Sequence, residues 1–249
     1  MRTEYMRQAM MLILGLVLTG VVNAADNETL TWTFKATNQE GKVIATISVD
    51  STETPDLKDW AYRAGELCAE WYPKIVKLLD SEGFKPYDTI KIRFRENMGG
   101  VAGTSRASIS VSANYVRKNT NDWGMIIHEL THIVQAYPEA REGYTKPGWL
   151  VEGIADYIRI CHFEPQARRP RINPDRASYR DAYKTTAIFL EWAEKKYDKE
   201  LVKKLNQPLR EGKFKIEMFK DITGKTVDEL WQEFTDSLRS QSNQSQGQK

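Results

Sequence analysis

At 249 residues the chain fits one domain of generous size, and a hydrophobic fraction of 41% with seven tryptophans supplies a real core. The formal net charge is only +2, a balance that gives no ground for a nucleic-acid or anionic-membrane partner. Internal repeats, a phosphate-binding glycine loop and a nucleophile elbow are absent from the sequence.

Residues 1–24 read as a signal peptide. Arg2 and Arg7 form its charged start, residues 10–22 its apolar run, and Val22-Asn23-Ala24 the small residues of a cleavage site. The run is short for a membrane span, and no cysteine follows it to carry a lipid. No other segment is apolar enough to cross a bilayer. The expectation is a secreted or periplasmic protein with no membrane contact after signal removal. Export permits a disulfide between Cys68 and Cys161, and buried free thiols fit the sequence equally well.

Next, Leu30, Trp32, Phe34 and Ala36 alternate with polar residues, as do Val43, Ala45, Ile47 and Val49. With Asn38-Gln39-Glu40-Gly41 between them, residues 29–50 are expected to form a β-hairpin. Pro55 opens a polar bridge into a long helix, residues 57–79, bent near Pro73. Ile90, Ile92 and Phe94 make a third strand. Residues 97–103, with Gly99, Gly100 and Gly103, read as a flexible loop, and residues 107–113 as a further strand.

The following helix carries the chemistry. Trp123, Ile126, Ile127, Leu130, Val134 and Tyr137 recur at helical spacing, Thr120 or Asn121 can cap the start, and Pro138 argues for a stop at Tyr137. Beside that stripe lies His128-Glu129-Leu130-Thr131-His132, which holds two of the three histidines in the chain. Four residues of separation put both imidazoles one turn apart on one helix face, so they can grip a single Zn²⁺. Glu129 between them can then serve as general base toward the water the ion activates.

A catalytic zinc needs a third protein ligand and one open position. Glu152 stands twenty residues after His132, on a second helix opened by Pro147-Gly148. Asp156 is one turn further on, placed to accept a hydrogen bond from the far nitrogen of a metal-bound histidine. Gly153 is expected to let this helix approach the histidine helix closely. The weaker rival for third ligand is His162, ten residues beyond Glu152 and turned away from it.

His-Glu-x-x-His followed by Glu-x-x-x-Asp resembles the thermolysin-like metallopeptidases with a glutamate third ligand. The finer wording, from His128 through Thr131-His132-Ile133-Val134-Gln135 and then Gly148-Trp149-Leu150-Val151-Glu152 to Arg159, is similar to the plant basic secretory protein family and its microbial relatives. The likeness continues through the run from Tyr183 to Trp192. It implies a secreted zinc metallopeptidase whose ligands are His128, His132 and Glu152 and whose base is Glu129. It further implies that an edge strand before the histidine helix, here residues 107–113, binds extended substrate. A tyrosine after the third ligand then donates to the oxyanion; Tyr183 is the choice, with Tyr157 and Tyr179 as competitors.

Residues 164–180 turn basic and proline-rich, with Arg168, Arg169, Arg171, Arg176 and Arg180. No aromatics interleave with the first four, so they form a solvated loop or a cleft-side lid that reads carboxylates, and no nucleic-acid platform. Helices follow at residues 178–197, 200–210, 214–220 and 226–240, and residues 241–249 read as a disordered tail. The chain is thus expected to be α+β, with one domain over residues 25–240. A small, mostly antiparallel sheet packs on the histidine helix, and the helical C-terminal half carries Glu152. The expected activity is zinc-dependent hydrolysis of peptide or protein substrates. Two rivals stand beside it. One is a zinc amidase acting on cell-wall or glycan-linked material, since fold and site do not fix substrate. The other is a non-catalytic zinc-containing binding module, disfavoured because neither cysteine lies near ligand spacing.

Overall fold

The computed structural model of the protein describes residues 29–246. The expected signal peptide, residues 1–24, lies outside the described residues.

Alternating apolar and polar residues build β1 (Thr31–Thr37) and β2 (Val43–Asp50), which pair antiparallel. Asn38 closes their turn by accepting from the backbone of Glu40 and Lys42, while Gly41 takes a left-handed φ of 78°. Pro55 starts a short 3₁₀ turn (Pro55–Leu57) that leads into α1 (Lys58–Leu78). A connection of that length lets β3 (Thr89–Arg95) lie parallel beside β2. The chain then runs out to β4 (Ala102–Ser105) and returns as β5 (Ser108–Ser112), antiparallel to β4 and parallel to β3.

The sheet order is therefore β1-β2-β3-β5-β4. The expected antiparallel pairings hold at the two edges, and the two central pairings are parallel. One expectation is overturned. The strand read at residues 107–113 is internal, and the edge is β4, which begins inside the stretch read as a flexible loop and runs two residues past it. Glycines weaken a strand pattern in the sequence, but here Gly103 sits in register opposite Ser110.

Ile90, Ile92 and Phe94 of β3 are buried, whereas Thr89, Lys91, Arg93 and Arg95 between them are exposed. One face of the sheet carries the core and the other meets solvent. α1 covers the inner face at β1 and β2. Gly65 permits this approach, because a Cβ there would come within 2.2 Å of the Phe34 ring and 2.7 Å of Val49. After α2 (Ala113–Lys118), α3 (Trp123–Gln135) packs against α1, β4 and β5. α4 (Gly148–Tyr157) runs on into a π-helical turn (Ile158–Phe163). A 3₁₀ turn (Tyr179–Asp181), capped by Ser178, precedes α5 (Tyr183–Lys196), so the helix expected from residue 178 is split. α6 (Leu201–Arg210), α7 (Met218–Thr223) and α8 (Val227–Gln246) complete the chain. α8 continues six residues past its expected end at Ser240, into the stretch read as tail. One apolar core joins the inner sheet face to α1, α3, α4, α5, α6 and α8. Among the described residues, no helix is long and apolar enough to cross a membrane.

Cys68 on α1 and Cys161 on the π-helical turn are free thiols. Burial pushes both thiols up, that of Cys161 to about 12, which suppresses the reactive thiolate. Thiol titration of the unfolded, unreduced protein is expected to find two groups. Finding none would mean that the cysteines pair.

Candidate active site

Asp122 opens α3, one residue later than the expected cap, by accepting from the Met125 backbone at 3.2 Å. Asp122 is held in turn by Arg159 at 2.6 Å and by the Tyr115 hydroxyl at 2.5 Å. Gly124 makes this possible, since a Cβ there would stand 2.4 Å from Arg159 Nε. At the other end the helix stops at Gln135, two residues short of the expected Tyr137, because Ala136 turns left-handed at φ 45°. Arg210 of α6 donates to the carbonyls of Val134 at 2.7 Å and Gln135 at 3.2 Å. These bonds satisfy acceptors that a helix end leaves open.

With Ile126, Ile127, Leu130, Ile133 and Val134 buried, His128 and His132 come out one turn apart in a cleft of about 1350 Å³. α4 brings Glu152 to the same cleft. His128 Nε2 lies 3.1 Å from His132 Nε2 and 3.1 Å from Glu152 Oε2. His132 Nε2 is 3.4 Å from that same oxygen. A tetrahedral ion with bonds of about 2.0–2.2 Å sets its ligand atoms roughly 3.3–3.6 Å apart, close to this triangle.

The donor set makes the same case. His128 Nδ1 stands 2.7 Å from Oδ1 of Asp156, a buried carboxylate that accepts, so Nδ1 carries the hydrogen. His132 Nδ1 stands 2.7 Å from Gln135 Oε1, again an acceptor. With the hydrogen on Nδ1, each imidazole in its neutral form turns a bare Nε2 lone pair toward the other ring and toward the Glu152 carboxylate. Three such converging acceptors can hold a cation. Burial alone would push His128 down, but its bonds to Asp156 and Glu152 prevail and raise it to about 9. Burial would push Glu152 up, yet the bonds to His128 and His132 draw it down to about 2. Both shifts belong to a site that favours positive charge. His128, His132 and Glu152 could hold a metal ion.

Glu129 stands outside that triangle. Its Oε2 accepts from the Thr104 hydroxyl at 2.7 Å, and the same hydroxyl lies 3.0 Å from the Glu129 carbonyl. Thr104 belongs to β4, so the sheet edge runs directly beside this carboxylate and lines the cleft. An edge strand presents unpaired backbone N–H and C=O groups.

Tyr183 opens α5 with its ring stacked over that of His128, centroids 6.0 Å apart, and it is 53% exposed. Ala182 and Tyr183 both adopt left-handed φ, 63° and 47°, which places strained backbone beside the cluster. The charge of Glu152 holds the phenol above its ordinary range. The competing tyrosines point elsewhere. Tyr157 donates to Glu194, and Tyr179 packs among Trp149, Phe189 and Trp231. Neither lines the cleft. His162 lies on the π-helical turn against the Tyr157 ring, outside the ligand triangle, and burial pushes its imidazolium down.

One sequence expectation is corrected by its neighbours. A Cβ on Gly153 would meet Thr186 at 2.2 Å, so this glycine admits α5 and not the histidine helix. Of the two readings of the basic loop, the cleft-side lid finds no support, for Arg169 pairs with Glu191 at 2.9 Å and none of the five arginines lines the cleft. Gln135, Thr104 and Arg210 were not singled out from sequence. Only Gln135 carried a local signal, three residues after His132 and hence beside it on the helix.

A family model described as peptidase of plants and bacteria matches residues 61–234, from within α1 into α8 and across the whole ligand triangle. No curated protein matches the chain significantly.

Proposed function

Because this chain belongs to the basic secretory protein family, the peptidases of plants and bacteria, we propose that it is a secreted zinc peptidase acting at the His128/His132/Glu152 cluster. The observation that carries the zinc assignment is the convergence of two histidine lone pairs and one carboxylate oxygen at tetrahedral spacing. All three lie beside a further carboxylate, Glu129, that takes no part in the triangle. Two nitrogens and one oxygen suit Zn²⁺, and the absence of a cysteine from the set favours a catalytic over a structural ion.

Bound there, zinc supplies a Lewis acid that polarises the scissile carbonyl and makes water nucleophilic near neutral pH. Glu129 takes the proton released in the attack and delivers it to the leaving amine. The Thr104 hydroxyl fixes the rotamer of that carboxylate, so the base is oriented before substrate arrives. β4 offers its free edge to an extended peptide, whose backbone adds as a further strand and so reaches Glu129 in register. Tyr183, above His128, donates its phenol hydrogen to the oxyanion. Export is part of the proposal and rests on Arg2, Arg7 and the apolar run of residues 10–22.

Digestion of a peptide library with and without chelator tests the reading. Cleavage that stops on chelation and returns with zinc is expected. Cleavage indifferent to chelator, or none in the zinc-loaded protein, would overturn it.

Tyr183→Phe separates oxyanion donation from packing. A phenol that bonds only the developing charge matters to turnover more than to binding. The expected result is a kcat lower by about 10²–10³-fold, with KM and metal content nearly unchanged. Near-full kcat would overturn the assignment of Tyr183, and Tyr157 and Tyr179 could not replace it because both are engaged away from the cleft.

A further inference from the structure

We propose that Gln135 is a positioning residue for the metal centre, one amide that fixes the tautomer of His132 and ties the histidine helix to the backbone beside Glu152. The inference rests on the metal-site reading above and adds to it a residue with no bond to the ion. Gln135 ends α3 and is 1% exposed. Its Nε2 donates to the carbonyl of Val151 at 2.8 Å, and its Oε1 faces His132 Nδ1 at 2.7 Å.

The direction of each bond follows from what the partners can do. A backbone carbonyl only accepts, so the amide must turn its NH₂ toward Val151. That leaves Oε1 facing His132, and an amide oxygen also only accepts. His132 must then carry its hydrogen on Nδ1, and its neutral ring presents a bare lone pair at Nε2, the atom in the ligand triangle. Turning the amide over would set oxygen against oxygen at Val151, and burial forbids leaving that pair unsatisfied.

Val151 precedes Glu152 on α4. The amide therefore joins the second histidine to the third ligand across a connection of a dozen residues between α3 and α4. Its own backbone is fixed as well, because Arg210 holds the carbonyls of Val134 and Gln135. The two histidines are thus oriented by different groups. Asp156 holds His128 with a charged acceptor, while Gln135 holds His132 with a neutral one that also donates to the neighbouring helix.

Zinc affinity of the full chain, measured by competition with a chromophoric chelator, tests this independently of catalysis. Gln135→Leu keeps the approximate volume and removes both bonds, and is expected to weaken zinc binding by about 10–100-fold. In Gln135→Glu, a carboxyl group still accepts from Nδ1 in either protonation state, so affinity is expected to recover part of that loss. A merely structural pin would lower the melting temperature of the chelator-treated variants and leave zinc affinity of the folded protein untouched. Wild-type zinc affinity in Gln135→Leu, to within about threefold, overturns the proposal, given the 10–100-fold expected of a ligand's hydrogen-bond partner. If Gln135→Leu does not fold, ¹⁵N imidazole spectra of the zinc-loaded wild-type protein decide. Hydrogen on Nδ1 of His132 is expected, and hydrogen on Nε2 overturns the assignment. Failure of the wild-type chain itself to bind zinc is a different result and refutes the metal-site reading instead.

Discussion

Glu129→Gln is expected to lower peptide hydrolysis by about 10²–10⁴-fold, the range attributable to a positioned acid–base group, while the protein keeps one zinc ion per chain. Glu129 follows His128 on α3 and so projects about 100° round the helix from it. The ligand triangle is complete without it, and its Oε2 is bonded to Thr104. Glutamine matches glutamate in size, and its amide oxygen still accepts from the Thr104 hydroxyl, so the local packing survives. What the amide cannot do is take a proton from water and pass it to the leaving amine. Turnover and metal content should therefore separate. Elemental analysis of the purified variant is the deciding measurement, because loss of zinc would place Glu129 in the ligand set. Full activity with zinc retained would assign the base to another group.

The parts of this site that were legible in the sequence share one property: their geometry is set within a single helix. His128 with His132, and Glu152 with Asp156, are each pairs four residues apart, and a helix places such pairs on one face whatever the rest of the chain does. The parts that were missed depend on contacts between elements. Thr104 follows a glycine-rich stretch that reads as loop, and it joins an edge strand only by pairing with β5. Arg210 reaches the end of α3 from α6, 75 positions away in sequence. Gly153 announces a close approach but not the partner, which is α5. Strand orientation was hidden for the same reason. Alternation in β2, β3 and β5 shows that one face is buried, whereas parallel pairing follows from the route the chain takes between them.

Glu152→Ala against His162→Ala decides the third ligand, and the expected contrast is large. Glu152 Oε2 lies 3.1 Å and 3.4 Å from the two histidine Nε2 atoms. On the proposed reading, removing it deletes one of three protein ligands and one of the charges that offset the ion. Zinc affinity should fall by more than the roughly 10–100-fold typical of losing a ligand's hydrogen-bond partner. Asp156→Asn should fall within that range, since the amide oxygen introduced there can still accept from His128 Nδ1 but carries no charge. On the proposed reading zinc binds the folded chain, and its contribution to stability grows with the logarithm of affinity, reaching about 2.7 kcal/mol at a hundredfold excess over Kd. The melting temperature of Glu152→Ala should therefore drop relative to wild type in zinc and far less in chelator. His162→Ala should show neither effect on zinc. Its ring packs on Tyr157, its Nε2 is buried without a partner, and it lies outside the triangle. Any destabilisation it causes should be the same with and without zinc, as for lost packing. The reverse pattern, wild-type affinity in Glu152→Ala and lost affinity in His162→Ala, would require the π-helical turn to rearrange and bring His162 to the metal in place of Glu152.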